Sequence, residues 1–167
     1  MKDSLTGLPN RRFFCERFEI ARLETRRSQN HMAVLSIDLD RFKSINDGLG
    51  HAAGDDVLVE AAGRLTECLR KVDVVARFGG DEFVVLLPDV GGIEDACRVA
   101  EKIVETFRRP FDVLGTALAL SVSIGIAVYP DHGQELDILL KGSDEALYRA
   151  KNAGHDGFAA MELPRES

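Results

Sequence analysis

Hydrophobic positions along this chain change period, and each change marks an element. After Asn10, an amide suited to cap a helix, Phe14, Phe18 and Ala21 recur at helical spacing as far as Arg27. Ala33, Leu35, Ile37 and Leu39 then alternate with Val34, Ser36, Asp38 and Asp40, which predicts a strand ending in carboxylates. Arg41 to Gly54 reads as a short polar segment with glycines at 48, 50 and 54. Helical spacing resumes with Val57, Leu58, Ala61, Ala62, Leu65 and Leu69. Two β-rich runs, Val74 to Phe78 and Glu82 to Leu87, flank Gly79-Gly80 and predict a hairpin. Ile93 to Arg109 predicts a helix stopped by Pro110, and Leu136 to Lys151 another closed by Gly154.

Val113 to Pro130 carries no charge and is long enough to span a bilayer as a helix. Its pattern excludes that. Leu118, Leu120, Val122, Ile124, Ile126 and Val128 are large, and Ala119, Ser121, Ser123, Gly125 and Ala127 between them are small. A period of two is a strand signal, here with a smooth face open to close packing, preceded by a turn at Gly115-Thr116. Helices and strands alternate, yet one hairpin interrupts them. A purely parallel doubly wound sheet is therefore excluded in favour of a mixed or antiparallel α/β sandwich.

Composition narrows the function classes. A chain of 167 residues with 45% hydrophobic and 29% charged residues suits one globular domain with a substantial core. With 21 Lys+Arg against 28 Asp+Glu the net charge is −7, which argues against a coat for nucleic-acid polymers or anionic membranes. An anionic substrate then needs metal ions or a local cluster of basic groups. Cys15, Cys68 and Cys97 are odd in number and form no CxxC pair, so reduced thiols in a cytoplasmic domain are expected. MKDSLTGLPN has no apolar core of a signal peptide.

Candidate chemistry gathers at the strand end and the hairpin tip. Asp38 and Asp40 are two apart, so both carboxylates can point to one place, and Asp81 and Glu82 follow the two glycines. Close carboxylates need a cation between them or a proton on one of them. If the two strands are neighbours, Asp38 and Asp81 make a hard-oxygen site suited to Mg²⁺. Lys43 can meet a phosphate, Asn46 a base edge, and Asp55 can accept from the N1–H and amine of guanine. Lys151 and His155 add positive charge near a helix end. Taken singly, each of these also fits a solvated residue or a helix cap, Asp55 for the helix that follows it.

The string Arg77-Phe78-Gly79-Gly80-Asp81-Glu82-Phe83 resembles the signature of the GGDEF family of diguanylate cyclases. DSLTGLPNRRFF at 3–14, IDLDRFKSINDGLGHAAGD at 37–55, SVSIGIAVYPDHG at 121–133 and DEALYRAKNAG at 144–154 extend the resemblance over nearly the whole chain. It implies a single domain over 1–167, with a lead-in motif at 1–10 and a tail or linker from 160 to 167. It also implies an α+β fold like the palm of nucleotidyl cyclases and polymerases, a mainly antiparallel sheet flanked by helices with the signature on a hairpin. The implied reaction joins two GTP into cyclic di-GMP and two pyrophosphates across a homodimer. On this resemblance Asp38, Asp81 and the Leu39 carbonyl hold two Mg²⁺ or Mn²⁺ ions per site, and Glu82 supports the metals or takes a proton. Asn46 and Asp55 read guanine. Lys43, Lys151 and the backbone N–H groups around Arg41 and Phe42 hold phosphates, and Gly79 and Gly80 let the hairpin lie against the nucleotide. Arg70-Lys71-Val72-Asp73 stands where the family carries an RxxD product-inhibitory site, with Arg77 as its helper.

One departure stands out. Where the family has Gly-Arg-Asn after the lysine, this chain has Gly154-His155-Asp156, which predicts weaker hold on the triphosphate. The RPFDVLG and AVYPDHG segments resemble GGDEF domains fused to EAL phosphodiesterase domains, and a sensory domain is expected in the larger protein. The alternative is a catalytically weak domain that binds GTP or cyclic di-GMP and regulates an attached EAL domain.

Overall fold

The computed structural model describes residues 1–163. Helix α1 spans Arg11–Ser28, and the Asn10 side chain accepts from Phe13 N–H at 3.0 Å to cap it. Strand β1 (His31–Leu39) follows, then α2 (Phe42–Leu49), α3 (His51–Cys68), the hairpin β2 (Val74–Gly79) and β3 (Glu82–Val90), and α4 (Ile93–Phe107). A small hairpin, β4 (Phe111–Val113) and β5 (Thr116–Leu118), precedes β6 (Val122–Tyr129), α5 (Leu136–Asn152) and β7 (Gly157–Ala160).

Among the described residues the main sheet runs β2-β3-β1-β6-β7, antiparallel except for the β6–β7 pair. The strand alternation decides what covers each face. Ala33, Leu35, Ile37 and Leu39 of β1 share a core with Val57, Leu65, Ile103 and Phe107 of α3 and α4. Met32 and Val34 share the other core with Phe14 and Phe18 of α1 and Leu139 of α5. Burying such side chains at about 1.5–3 kcal/mol each holds the sandwich together.

Three expectations change. The polar segment from 41 to 54 is helical: Phe42, Ile45 and Leu49 form a short apolar stripe, and Gly50, at φ 90°, separates α2 from α3. Asp55 therefore lies inside α3 and caps nothing, because the helix starts at His51. The alternating run from 118 to 128 is broken, since β5 ends at Leu118 and β6 begins at Val122, with Ser121 turned to receive Asp40 N–H at 2.9 Å. The third is β7, whose four residues carry too short a pattern to read. The expected tail from 160 starts within the sheet, where Met161 N–H donates to Ile126 O at 2.7 Å, and residues 164–167 lie outside the described residues.

The small-residue face of β6 packs as its sequence implies. A side chain at Gly125 would collide with backbone atoms of Ser143 and Leu147, so α5 lies directly on the strand. Beside it, Ser36 and Ser143 share a buried hydrogen bond of 2.6 Å.

Beyond β6, His132 closes the turn. Its backbone N–H donates to Val128 O, and its Nδ1 accepts from Val128 N–H, both at 2.8 Å. Burial lowers its pKa from the ordinary 6.5, outweighing the nearby Asp131 carboxylate. Between the folded and unfolded pKa values the unfolded chain takes up the proton, so this contribution to stability is lost as pH falls below 6.5. Urea unfolding at about pH 7.5 and about pH 5 is expected to show a larger drop for the natural chain than for His132→Asn, whose amide oxygen can replace the acceptor without titrating.

Candidate active site

The β1 end and the β2–β3 tip meet because their strands are neighbours. Asp38 stands opposite Glu82 on β3 and Ser123 on β6. At the tip Gly79 and Gly80 have φ 146° and 49°, conformations that glycine adopts without a Cβ clash, and they aim Asp81 back toward the sheet. Helix α5, drawn in by Gly125, lays Asp144, Leu147, Tyr148 and Lys151 along one face. Together Asp38, Gly79, Gly80, Asp81, Glu82 and these four line a cleft of about 550 Å³.

Its electrostatics favour a bound cation. Burial, then the Asp38 charge, push the Asp81 carboxyl above its ordinary range, against the pull of a bond to its own backbone and of Lys151 and Arg77. Burial, then Asp144 and Asp38, do the same to Glu82, opposed by Arg11. The Lys151 ammonium donates to Asp38 Oδ2 at 2.5 Å and so occupies a position that a cation fits. Among the described residues no three acid, His or Cys side chains form a cage. Carboxylates lining an open cleft suit Mg²⁺, which binds through one or two carboxylates and takes its remaining ligands from water and substrate phosphates.

The hairpin is braced from the N-terminus. Arg77 donates to Gly80 O at 2.9 Å and to Asp3 Oδ1 at 3.0 Å, and its backbone N–H bonds Pro9 O at 3.1 Å. Burial opposes the Asp3 charge, but bonds from the Thr6 N–H and hydroxyl and from Arg77 outweigh it and hold the carboxyl below its ordinary value. The Arg11 guanidinium sits 4.9 Å from the Phe78 ring centre.

The remaining candidates lie outside the lining of the cleft. Arg41, at φ 58°, starts α2 without a side-chain cap, leaving its first N–H groups for another acceptor, with Phe42 buried below and Lys43 exposed. The Asn46 amide of α2 fills the space beside Gly54 of α3, and Asp55 is the next, exposed residue of that helix. Asp40 does not join Asp38. It lies past the strand and is 3% exposed, and it accepts from Ser121 and Ser123 hydroxyls at 2.5 and 2.6 Å. His155 sits in a left-handed turn (φ 62°) after α5. Asp156 pairs with Arg108 at 3.1 Å, so its charge is balanced away from the cleft. Arg70 and Asp73 bond each other at 2.8 Å, and Arg70 also donates to Pro88 O. Arg77 faces Asp3 and Gly80 instead of completing that pair.

Asp144 and Tyr148 escaped the sequence reading. Counting back three and seven residues from Lys151 on its helix would have found both. A larger groove of about 740 Å³ shares them, but there Arg11, Lys141 and Arg149 are matched by Asp137, Asp144 and Glu145. The unbalanced acids are in the smaller cleft.

Residues 1–157 match the family described as "Diguanylate cyclase, GGDEF domain". Diguanylate cyclase TpbB of Pseudomonas aeruginosa is 46% identical over 162 residues, which are 96% of this chain and 37% of that protein. The bifunctional diguanylate cyclase/cyclic di-GMP phosphodiesterase MucR of the same organism is 41% identical over 97% of this chain and 24% of its own length. The chain thus spans well under half of these relatives. Among solved structures, a truncated TpbB comprising only its GGDEF domain superposes with a TM-score of 0.95 at 45% identity, covering 98% of this chain and 95% of that one. The GGDEF domain of DgcB from Caulobacter crescentus, solved with c-di-GMP, has a TM-score of 0.85 at 28% identity, covering 96% and 95%.

Proposed function

The chain belongs to the diguanylate cyclase GGDEF family, and from that premise we propose that it condenses two GTP into cyclic di-GMP across a homodimer. The observation that carries this reading is the convergence of Asp38, Asp81, Glu82 and Lys151 under a double-glycine hairpin. The 3′-oxygen of each GTP attacks the α-phosphorus of the other. The bond to the β-phosphate breaks, pyrophosphate leaves and the 3′-hydroxyl proton is lost, once in each half of the reaction.

Asp38, Asp81 and the Leu39 carbonyl would hold two Mg²⁺ or Mn²⁺ ions. When bound, these supply charge neutralisation at the α-phosphate and at the forming 3′-alkoxide. Glu82, kept from ready ionisation by burial and neighbouring acids, supports those ligands or takes the proton. Lys43 and the first N–H groups of α2 hold the β- and γ-phosphates, and Lys151 leaves Asp38 to join them. Asn46 and Asp55 read guanine, and Gly79 and Gly80 admit the ribose and α-phosphate. At the inhibitory site, Arg70 and Asp73 separate and both bind the product. The DgcB domain solved with c-di-GMP supports a product-binding role for the fold.

GTP supply places the domain in the cytoplasm, and none of the described helices is long and apolar enough to cross a membrane. The bifunctional MucR and solved proteins described as sensory box/GGDEF and EAL/GGDEF support attached sensory or EAL-type phosphodiesterase domains.

The test is cyclic di-GMP formation from GTP and Mg²⁺ over a wide range of protein concentration. A specific rate that rises with concentration supports an enzyme assembled by dimerisation. Nucleotide binding without product at any concentration overturns catalysis in favour of the regulatory alternative. His155→Arg is expected to tighten GTP about tenfold by adding a permanent charge to the phosphate end. An unchanged affinity by calorimetry removes His155 from the site.

A further inference from the structure

Among the described residues, the buried Asp40 carboxylate is met by no charged side chain. Its oxygens accept from Ser121 Oγ–H at 2.5 Å, Ser123 Oγ–H at 2.6 Å and the Asp156 backbone N–H at 3.0 Å. Removing a carboxylate from water and meeting it only with neutral donors is costly, and a neutral amide could fill the same space more cheaply. What the carboxylate gains is geometry, because two oxygens receive three donors from two separate segments.

Through the Asp156 bond, Asp40 also joins two backbone turns at the phosphate end of the proposed site. On one side Asp40 lies between Leu39 and Arg41, whose left-handed conformation starts α2 and presents its N–H groups. On the other, 116 residues along the chain, it holds the turn formed by His155 and Asp156 at φ 62° and 48°, just past the helix that carries Lys151. The outer side of that turn is fixed by Arg108 on the Asp156 carboxylate. The two turns are thus tied through one side chain that faces away from the cleft.

We infer that Asp40 is a positioning residue for the triphosphate, setting the α2 amides and the His155 turn at a fixed separation so that both reach the same phosphate chain. The inference rests on the GTP reading above and concerns the phosphates alone, since Asn46 and Asp55 stand on other turns of α2 and α3.

Calorimetry with a non-hydrolysable GTP analogue and with GMP, Mg²⁺ present, tests it on the whole chain, with thermal unfolding measured alongside. Asp40→Ala is expected to weaken the GTP analogue about tenfold while GMP changes less than about twofold. Ser121→Ala, which removes one donor at the edge of the cluster, is expected to shift the same ratio in the same direction by a smaller factor. Asp40→Asn keeps an acceptor for Asp156 N–H and is expected to restore most of the ratio. Should Asp40→Ala fail to fold, the Ser121→Ala ratio decides. A purely structural role would lower the melting temperature and weaken both nucleotides in parallel, which overturns the inference, as does an unchanged ratio. Failure of the natural chain to bind either nucleotide overturns the GTP reading, and the inference falls with it.

Discussion

Replacing Asp81 by Asn is expected to lower cyclic di-GMP synthesis by about a thousandfold or more while leaving the chain folded. Asp81 stands on a tip that two glycines shape, half-buried and facing Asp38. Burial and that neighbour both oppose its charge, so in the free protein the carboxylate is a source of repulsion, not of stability. A neutral amide of the same shape relieves the repulsion. Urea unfolding should therefore find the variant at least as stable as the natural chain, even as chromatography of a GTP reaction finds almost no product. That pairing is the mark of a group kept for reaction at a cost to the fold. A variant that keeps a tenth of the natural turnover would remove Asp81 from the chemistry.

Gly125→Ala is expected to be the most damaging single methyl addition to the fold, at about 3 kcal/mol or more. The new Cβ would fall on the Ser143 carbonyl oxygen and the Leu147 backbone, and neither is a side chain that can swing away. Relief requires α5 to lift off β6, which breaks the buried Ser36–Ser143 bond and opens the core around Leu139. Since α5 also carries Asp144, Tyr148 and Lys151 into the cleft, the fraction that stays folded should bind GTP more weakly. Denaturant midpoints give the first effect and calorimetry the second. A midpoint equal to that of the natural chain would show that α5 does not rest on the strand as described.

The long elements were legible because their signals are local. Asn10 announces α1, Gly79-Gly80 announces a hairpin, and the small residues of β6 announce close packing, all of which appear in the structure. The helical character of residues 42–49 was hidden because Gly48, the nearby Gly50 and Gly54, and several polar residues outweigh an apolar stripe of three positions. β7 was hidden because four residues carry too little pattern, and its place depends on β6, met through a parallel pairing. In the site, the acids, glycines and Lys151 could be listed from the sequence, but their partners could not. Period-two reasoning sent Asp40 to the same place as Asp38, yet the strand ends at Leu39 and the next carboxylate turns to Ser121 and Ser123. Likewise the family resemblance joined Arg77 to the Arg70 site, whereas Asp3, 74 residues away, bonds its guanidinium.

The central place of β1 has a consequence for how the chain is made. Of the strands described it comes first in chain order, yet it pairs only with β3 and β6, which follow at residues 82–90 and 122–129. At about 5–20 residues per second it waits roughly 2–9 s for its first partner and about 4–17 s for its second. Helices form in microseconds, so α1 can fold during that interval while the strand beside it has nothing to pair with. Met32 to Ile37 is nearly all apolar and is buried on both faces in the finished fold, the composition that invites pairing between nascent chains. Asp38 and Asp40 close that run with two negative charges. Before either has a ligand to hold or a turn to fix, they act as gatekeepers that keep a waiting strand soluble.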